Sequence, residues 1–145
     1  MIEGFLLLAD AASTDQPSGK VNLLGAGWSL TGPVVPPGAI AGFLRIPWDE
    51  AKEQLKFTLR LVDNDREDVR IPVDEGEMRA ISFNGNLALQ EAQQDGSSDE
   101  DVPMNLCFAI SLPPLPLTPG HTYEWILEVG AAEVASVRFA VRPEA

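Results

Sequence analysis

One cysteine and one histidine stand in 145 residues, and their scarcity removes several classes of protein at once. Cys107 has no second cysteine to join, so no disulfide within the chain holds this fold. Basic residues are also few and scattered, with 22 acids against 10 bases, no run of three anywhere and a net charge of −12. Binding a polyanion requires cations that displace its counterions, so this balance argues against nucleic acid and against anionic membranes. No stretch approaches the ~18 apolar residues of a membrane span. The opening MIEGFLLLADAAS mimics a signal peptide, but Glu3 precedes its short apolar run and no Lys or Arg does. A buried first strand and a cytoplasmic location are the expectation. Helical patterning is nearly missing: only Trp48–Gln54 (WDEAKEQ) has helical composition, with Asp49 placed to cap a turn or two.

What is present is strand signal. Apolar residues make up 45% of the chain, enough for one core without a metal, and the length predicts a single domain over residues 1–145. From His121 to Arg142 two strands alternate. Tyr123, Trp125, Leu127 and Val129 share one face, and Ala135, Val137, Phe139 and Val141 repeat the pattern after Gly130-Ala131-Ala132. Successive strand side chains point oppositely, so period-2 alternation sets one face on a core and the other in water. Leu55, Phe57, Leu59 and Leu61 alternate most cleanly, and Ile40–Trp48 and Met104–Leu112 read likewise. Phe5–Ala12 and Val21–Leu30 complete the stronger candidates, with Phe5, Leu7 and Leu23 assigned to the core. Val69–Val73 carries Pro72, which suits an edge because proline cannot donate to a ladder. Asn84-Gly85 is either a hairpin turn or an irregularity within one strand, and the shortness of its flanks favours the second. Short strands separated by Gly, Pro, Asn and Asp predict an all-β fold. The expected form is an antiparallel two-sheet sandwich of about eight strands, immunoglobulin-like or C2-like, with at most one or two short helical turns. Gln90–Asp101 (QEAQQDGSSDED) is almost devoid of apolar residues and is expected to be a mobile acidic loop.

Chemistry is harder to find. Gly25-Ala26-Gly27 lacks the third glycine of a dinucleotide-binding loop, since Leu30 stands there, and no helix follows. Glycines within a strand more often mark a bulge or a close backbone approach. The best metal candidate is Asp63, Asp65, Glu67 and Asp68, four carboxylates on one connecting stretch. Calcium takes six to eight oxygens, but an EF-hand spacing would need glycine at Asp68 and glutamate at Asp74, and Arg66 repels a cation. Turn chemistry is the simpler explanation. Cys107 and His121 could form a thiolate–imidazole dyad, yet neither is flanked by a nucleophile turn. Trp28, Trp48 and Trp125 could line an aromatic site, with Trp48 the most plausible because it ends its strand. No catalytic residue and no cofactor is assigned.

Laid in order, FLLLADAAS, KVNLLGAGWSLTG, LRIPW, LTPGHTYEWILEV and VASVRFAV resemble a family of small single-domain bacterial β-sandwich proteins of unassigned function. The resemblance rests on Leu23–Gly27 in the second strand and on Tyr123–Trp125 in the closing hairpin. It implies a fold and carries no catalytic residues. The expected function is a non-enzymatic protein-interaction or assembly module. The alternative is a calcium- or small-ligand-binding sandwich using acidic loops, with a hydrolase a more distant third. The partner is expected to be another protein or a second copy, added at an exposed strand edge. The Met1–Ala12 strand is the best candidate, since Glu3 and Asp10 are its only charges.

Overall fold

Alternating and β-branched runs give strands throughout the computed structural model, which describes residues 1–51, 54–88 and 102–145. The strands are β1 (Glu3–Ala9), β2 (Ala11–Thr14), β3 (Val21–Leu24), β4 (Leu30–Thr31), β5 (Gly38–Ile46) and β6 (Gln54–Val62). They continue with β7 (Arg70–Pro72), β8 (Met78–Ala80), β9 (Ser82–Ala88), β10 (Met104–Leu112), β11 (Thr122–Val129) and β12 (Ala132–Val141). One sheet has the order β1-β5-β10 and a second the order β4-β12-β11-β6-β9, while β2-β3 and β7-β8 form separate two-stranded ribbons. Pairing is antiparallel except between β4 and β12, which run parallel over two residues.

The fold is therefore mostly β, as expected, but twelve strands in four sheets replace about eight in two. The extra breaks have local causes. Gly25 and Gly27 adopt positive φ, +62° and +98°, which ends β3 and separates it from β4. Only glycine enters that region without a Cβ penalty. At Asp10 the chain leaves β1 and turns into the ribbon, its amide donating to the Leu24 carbonyl at 2.9 Å. The Gly27 amide reaches across to the Leu8 carbonyl at 2.7 Å, so the Gly-Ala-Gly run makes a close backbone approach to β1. Asp49 does not cap a helix: it lies inside a single 3-10 turn, Trp48–Glu50, with Pro47 at the cap position and no side-chain cap bond. β9 runs straight through Asn84-Gly85 in unbroken register with β6, so that pair is neither a turn nor an irregularity. Pro72 ends β7, opposite Met78 in the small ribbon. The Gln90–Asp101 loop lies outside the described residues.

The two larger sheets share one core. Leu44, Ile46, Leu59, Leu61, Trp125, Leu127 and Phe139 are buried there, as their alternation requires, while Phe57, Phe108, Ile110 and Val137 are half-buried against it. Against this core Phe57 stacks on Phe108 with ring centroids 5.1 Å apart, joining the sheets. Each ring lies over a glycine of its neighbouring strand. A Cβ at Gly42 would stand 2.4 Å from the Phe108 ring, and one at Gly85 would stand 2.6 Å from the Phe57 ring. The closing hairpin turns through Gly130 and Ala131, both at positive φ, the pattern of a two-residue type I′ turn. At the start of β11 the Tyr123 hydroxyl accepts a hydrogen bond from the Thr118 amide at 3.0 Å.

β1 reverses the expected facing. Leu6 and Leu8 are buried in the core, 4% and 1% exposed, whereas Phe5 is 54% exposed. Phe5 and Leu7 point to the outer face of the three-stranded sheet. With five consecutive apolar residues, β1 carries hydrophobes on both sides, and alternation could not choose between them.

Candidate functional site

The acidic stretch after β6 is built as a turn. The Asp63 carboxylate accepts the amides of Asp65 at 2.9 Å and Glu67 at 3.0 Å, closing the loop on itself. Asp68 instead faces Arg60 at 3.1 Å. Arg60 also meets Glu128 at 2.6 Å, and that hydrogen bond, helped by Asp68, raises its pKa above an already high ordinary value. Arg66, at φ 62°, turns its guanidinium to Glu124 and Glu133, 3.2 and 3.1 Å away. The Asp63 and Asp68 carboxylates are thus engaged separately. Among the described residues no three His, Cys, Asp or Glu side chains are gathered as a metal ion requires. A hollow of about 250 Å³ does lie here, between Asp63, Asn64, Arg66, Glu124 and Arg138, but its walls are these internal pairs.

The structure does not bring Cys107 and His121 together. The Cys107 thiol donates to the Gly19 carbonyl at 3.2 Å, whereas His121 stacks on Tyr123 with ring centroids 6.4 Å apart. The tryptophans are structural too. Trp125 is buried, Trp28 meets Phe139 edge-on at 5.8 Å, and the Trp48 indole N–H donates to the Val102 carbonyl at 2.8 Å.

The open aromatic surface lies elsewhere, on the outer face of β1-β5-β10. Register stacks that face in rows across the three strands. Ala9, Ala39 and Ser111 form one row, and Leu7, Ala41 and Ala109 the next. Phe5, Phe43 and Cys107 follow, then Glu3, Arg45 and Asn105 at the far end. Ala9, Ala39 and Ala41 have no exposed surface. Small side chains there let the β2–β3 ribbon lie close on the sheet, and the ribbon's contacts with β5 and β10 hold it in place. At the aromatic row the side chains become large and the ribbon's connection arches over them. The result is an open groove of about 760 Å³, floored by Phe5, Phe43 and Cys107, walled by Ser18–Lys20 and rimmed by Glu3 and Arg45.

Phe5 and Phe43 face each other across β1 and β5 with ring centroids 4.9 Å apart and planes within 17°. The arch is held by its own bonds. The Asp15 carboxylate accepts the Ser18 amide at 3.2 Å and hydroxyl at 2.5 Å, and the Gly19 amide donates to the Asp15 carbonyl at 2.7 Å. Chemically the groove can hold a flat or branched apolar group, with Lys20 and Arg45 at its mouth. Sequence reasoning missed it because Phe5 was placed in the core. The available signal was the two-sided hydrophobicity of Phe5–Ala9, in a strand whose neighbour β5 is lined with alanines.

The chain belongs to a family of unknown function, DUF6941, whose model matches residues 4–142, in keeping with the family of unassigned function that its motifs resemble. No curated protein and no solved structure matches it.

Proposed function

We propose that this protein is a non-enzymatic interaction module of the cytoplasm. In this reading it is an immunoglobulin-like or C2-like sandwich carrying two appended ribbons, and it receives an extended segment of a partner protein in the groove between the three-stranded sheet and the β2–β3 ribbon. The observation that carries the reading is the Phe5–Phe43 stack, with Phe5 left 54% exposed in a preformed groove. Fully burying a side chain of this kind is worth about 1.5–3 kcal/mol, of which Phe5 has roughly half still to gain, so an open aromatic pair beside a hydrogen-bonded wall is a ready anchor. A groove of about 760 Å³ is large enough to take one or two partner side chains. The sandwich part draws support from Tyr123, whose hydroxyl binds the backbone five residues upstream, as the tyrosine corner of immunoglobulin folds does.

The face, and not the edge of β1, is the contact in this reading. β1 does lie at the edge of its sheet, but the Leu8 carbonyl is already taken by Gly27 and β12 runs alongside. A strand added there would have to displace both.

The minimal probe is N-acetylphenylalaninamide, an uncharged phenylalanine between two peptide groups, titrated against labelled protein by NMR. Saturable shifts confined to Phe5, Lys20, Phe43 and Cys107 are expected, together with slower reaction of Cys107, the only thiol, with iodoacetamide. Both effects should vanish in Phe5→Ser. Scattered or non-saturating shifts would overturn the reading. A concentration-dependent dimer that Phe5→Ser dissociates would overturn it in favour of a second copy as the occupant.

A further inference from the structure

Resting on that reading, we infer that the partner segment carries a carboxylate beside its apolar anchor, and that Lys20 and Arg45 receive it. The chain is strongly acidic, yet two of the three charged residues lining this groove are cations, with Glu3 the third. Among the described residues neither cation has a close carboxylate partner. The nearest acid in the arch, Asp15, spends its carboxylate on the Ser18 amide and hydroxyl. Lys20 forms no ion pair among the described residues. Arg45 meets Glu3 only at 3.8 Å, with the two side chains 63% and 67% exposed. Such a loose surface pair contributes little and is readily exchanged for a better acceptor.

Arg60 and Arg66 each contact two carboxylates at 3.2 Å or closer. Lys20 and Arg45, which line the groove beside the exposed aromatic pair, have no such close carboxylate contacts among the described residues. The row arrangement sets the spacing, because Arg45 lies on β5 two residues from Phe43 and on the same face. Lys20 lines the same groove from the ribbon side, so a carboxylate beside an apolar group seated on Phe5 and Phe43 would enter a groove lined by both cations. The recognised chemistry is an apolar side chain with an adjacent carboxylate. It comes either from a chain's C-terminus or from an Asp or Glu next to the anchor.

Three probes separate the terms: N-acetylphenylalaninamide, N-acetylphenylalanine, and N-acetyl-phenylalanyl-aspartyl amide. Titrations are run in about 0.1 M salt, where charges interact over about 10 Å. At least one carboxylate probe should bind about tenfold more tightly than the amide, the scale of a charge-assisted hydrogen bond. Preference for the terminal carboxylate identifies a C-terminal motif, and preference for the aspartyl probe an internal one. Lys20→Gln and Arg45→Gln should each remove most of the advantage without altering amide binding, and Glu3→Gln should increase it. Carboxylate and amide probes binding the groove equally would overturn this inference and leave the interaction reading standing. Failure of all three probes to bind would overturn both.

Discussion

Replacing Gly42 with alanine places a methyl carbon 2.4 Å from Cε1 and Cζ of Phe108, about an ångström inside ordinary contact. The backbone cannot retreat, since β5 is hydrogen-bonded to β1 on one side and β10 on the other. Nor can the ring swing away freely. It stacks on Phe57 at 5.1 Å, and Phe57 in turn lies over Gly85. Overpacking a well-filled core costs roughly 1–3 kcal/mol, and a ring pinned on both sides belongs at the upper end. Against this stands a gain of roughly 0.5–1 kcal/mol for alanine over glycine in a strand, leaving a net loss of about 2 kcal/mol. Phe108→Ala alone should cost about 3 kcal/mol, the low end for a phenylalanine because the ring is half-buried. In the double variant the clash has no partner, and the added methyl fills part of the void. The double should therefore lose about 2 kcal/mol rather than the additive 5, a coupling of about 3 kcal/mol, the size of the relieved clash. Urea denaturation followed by tryptophan fluorescence measures all four proteins, and the slopes should stay equal. Additive losses would refute the proposed Gly42–Phe108–Phe57–Gly85 stack.

Other outcomes follow from the same geometry. Trp125→Ala should cost about 3–5 kcal/mol in urea denaturation, because the largest fully buried side chain leaves a cavity that two sheets cannot close. Tyr123→Phe should cost about 1 kcal/mol, since it removes the hydrogen bond that the Thr118 amide donates, and should leave the far-ultraviolet spectrum unchanged. Arg66→Gly should stay within about 1 kcal/mol of the parent: it forfeits the ion pairs of a half-exposed guanidinium with the mostly covered Glu124 and with Glu133 but relieves a left-handed backbone. A thermal-shift scan with calcium or manganese should match one with EDTA, and a saturable rise in melting temperature would show that Asp63–Asp68 rearranges to bind a cation.

The strands that alternate were legible in the sequence because one face of each is apolar and the other polar. Leu55–Leu61 and Tyr123–Val141 needed only the period of two to place their side chains. The exclusion of a disulfide framework and the lack of a membrane-spanning helix likewise followed from composition and run length, and no described helix is long or apolar enough to cross a membrane. The acidic loop after β6 could be read as turn chemistry from its Asp and Asn content, and its Asp63 bonds are of that kind. The groove was not legible. Phe5–Ala9 is apolar at every position, so its facing depended on which neighbour covered which side, a property of long-range pairing and not of the segment. That choice was made by β5, whose alanines admit the β2–β3 ribbon on one face while Ile40 and Leu44 enter the core on the other. Where the alanines give way to Phe43, the ribbon can no longer lie flat, and Phe5, Lys20, Arg45 and Cys107 meet. They come from four separate stretches of chain, and only the tertiary structure brings them to one surface.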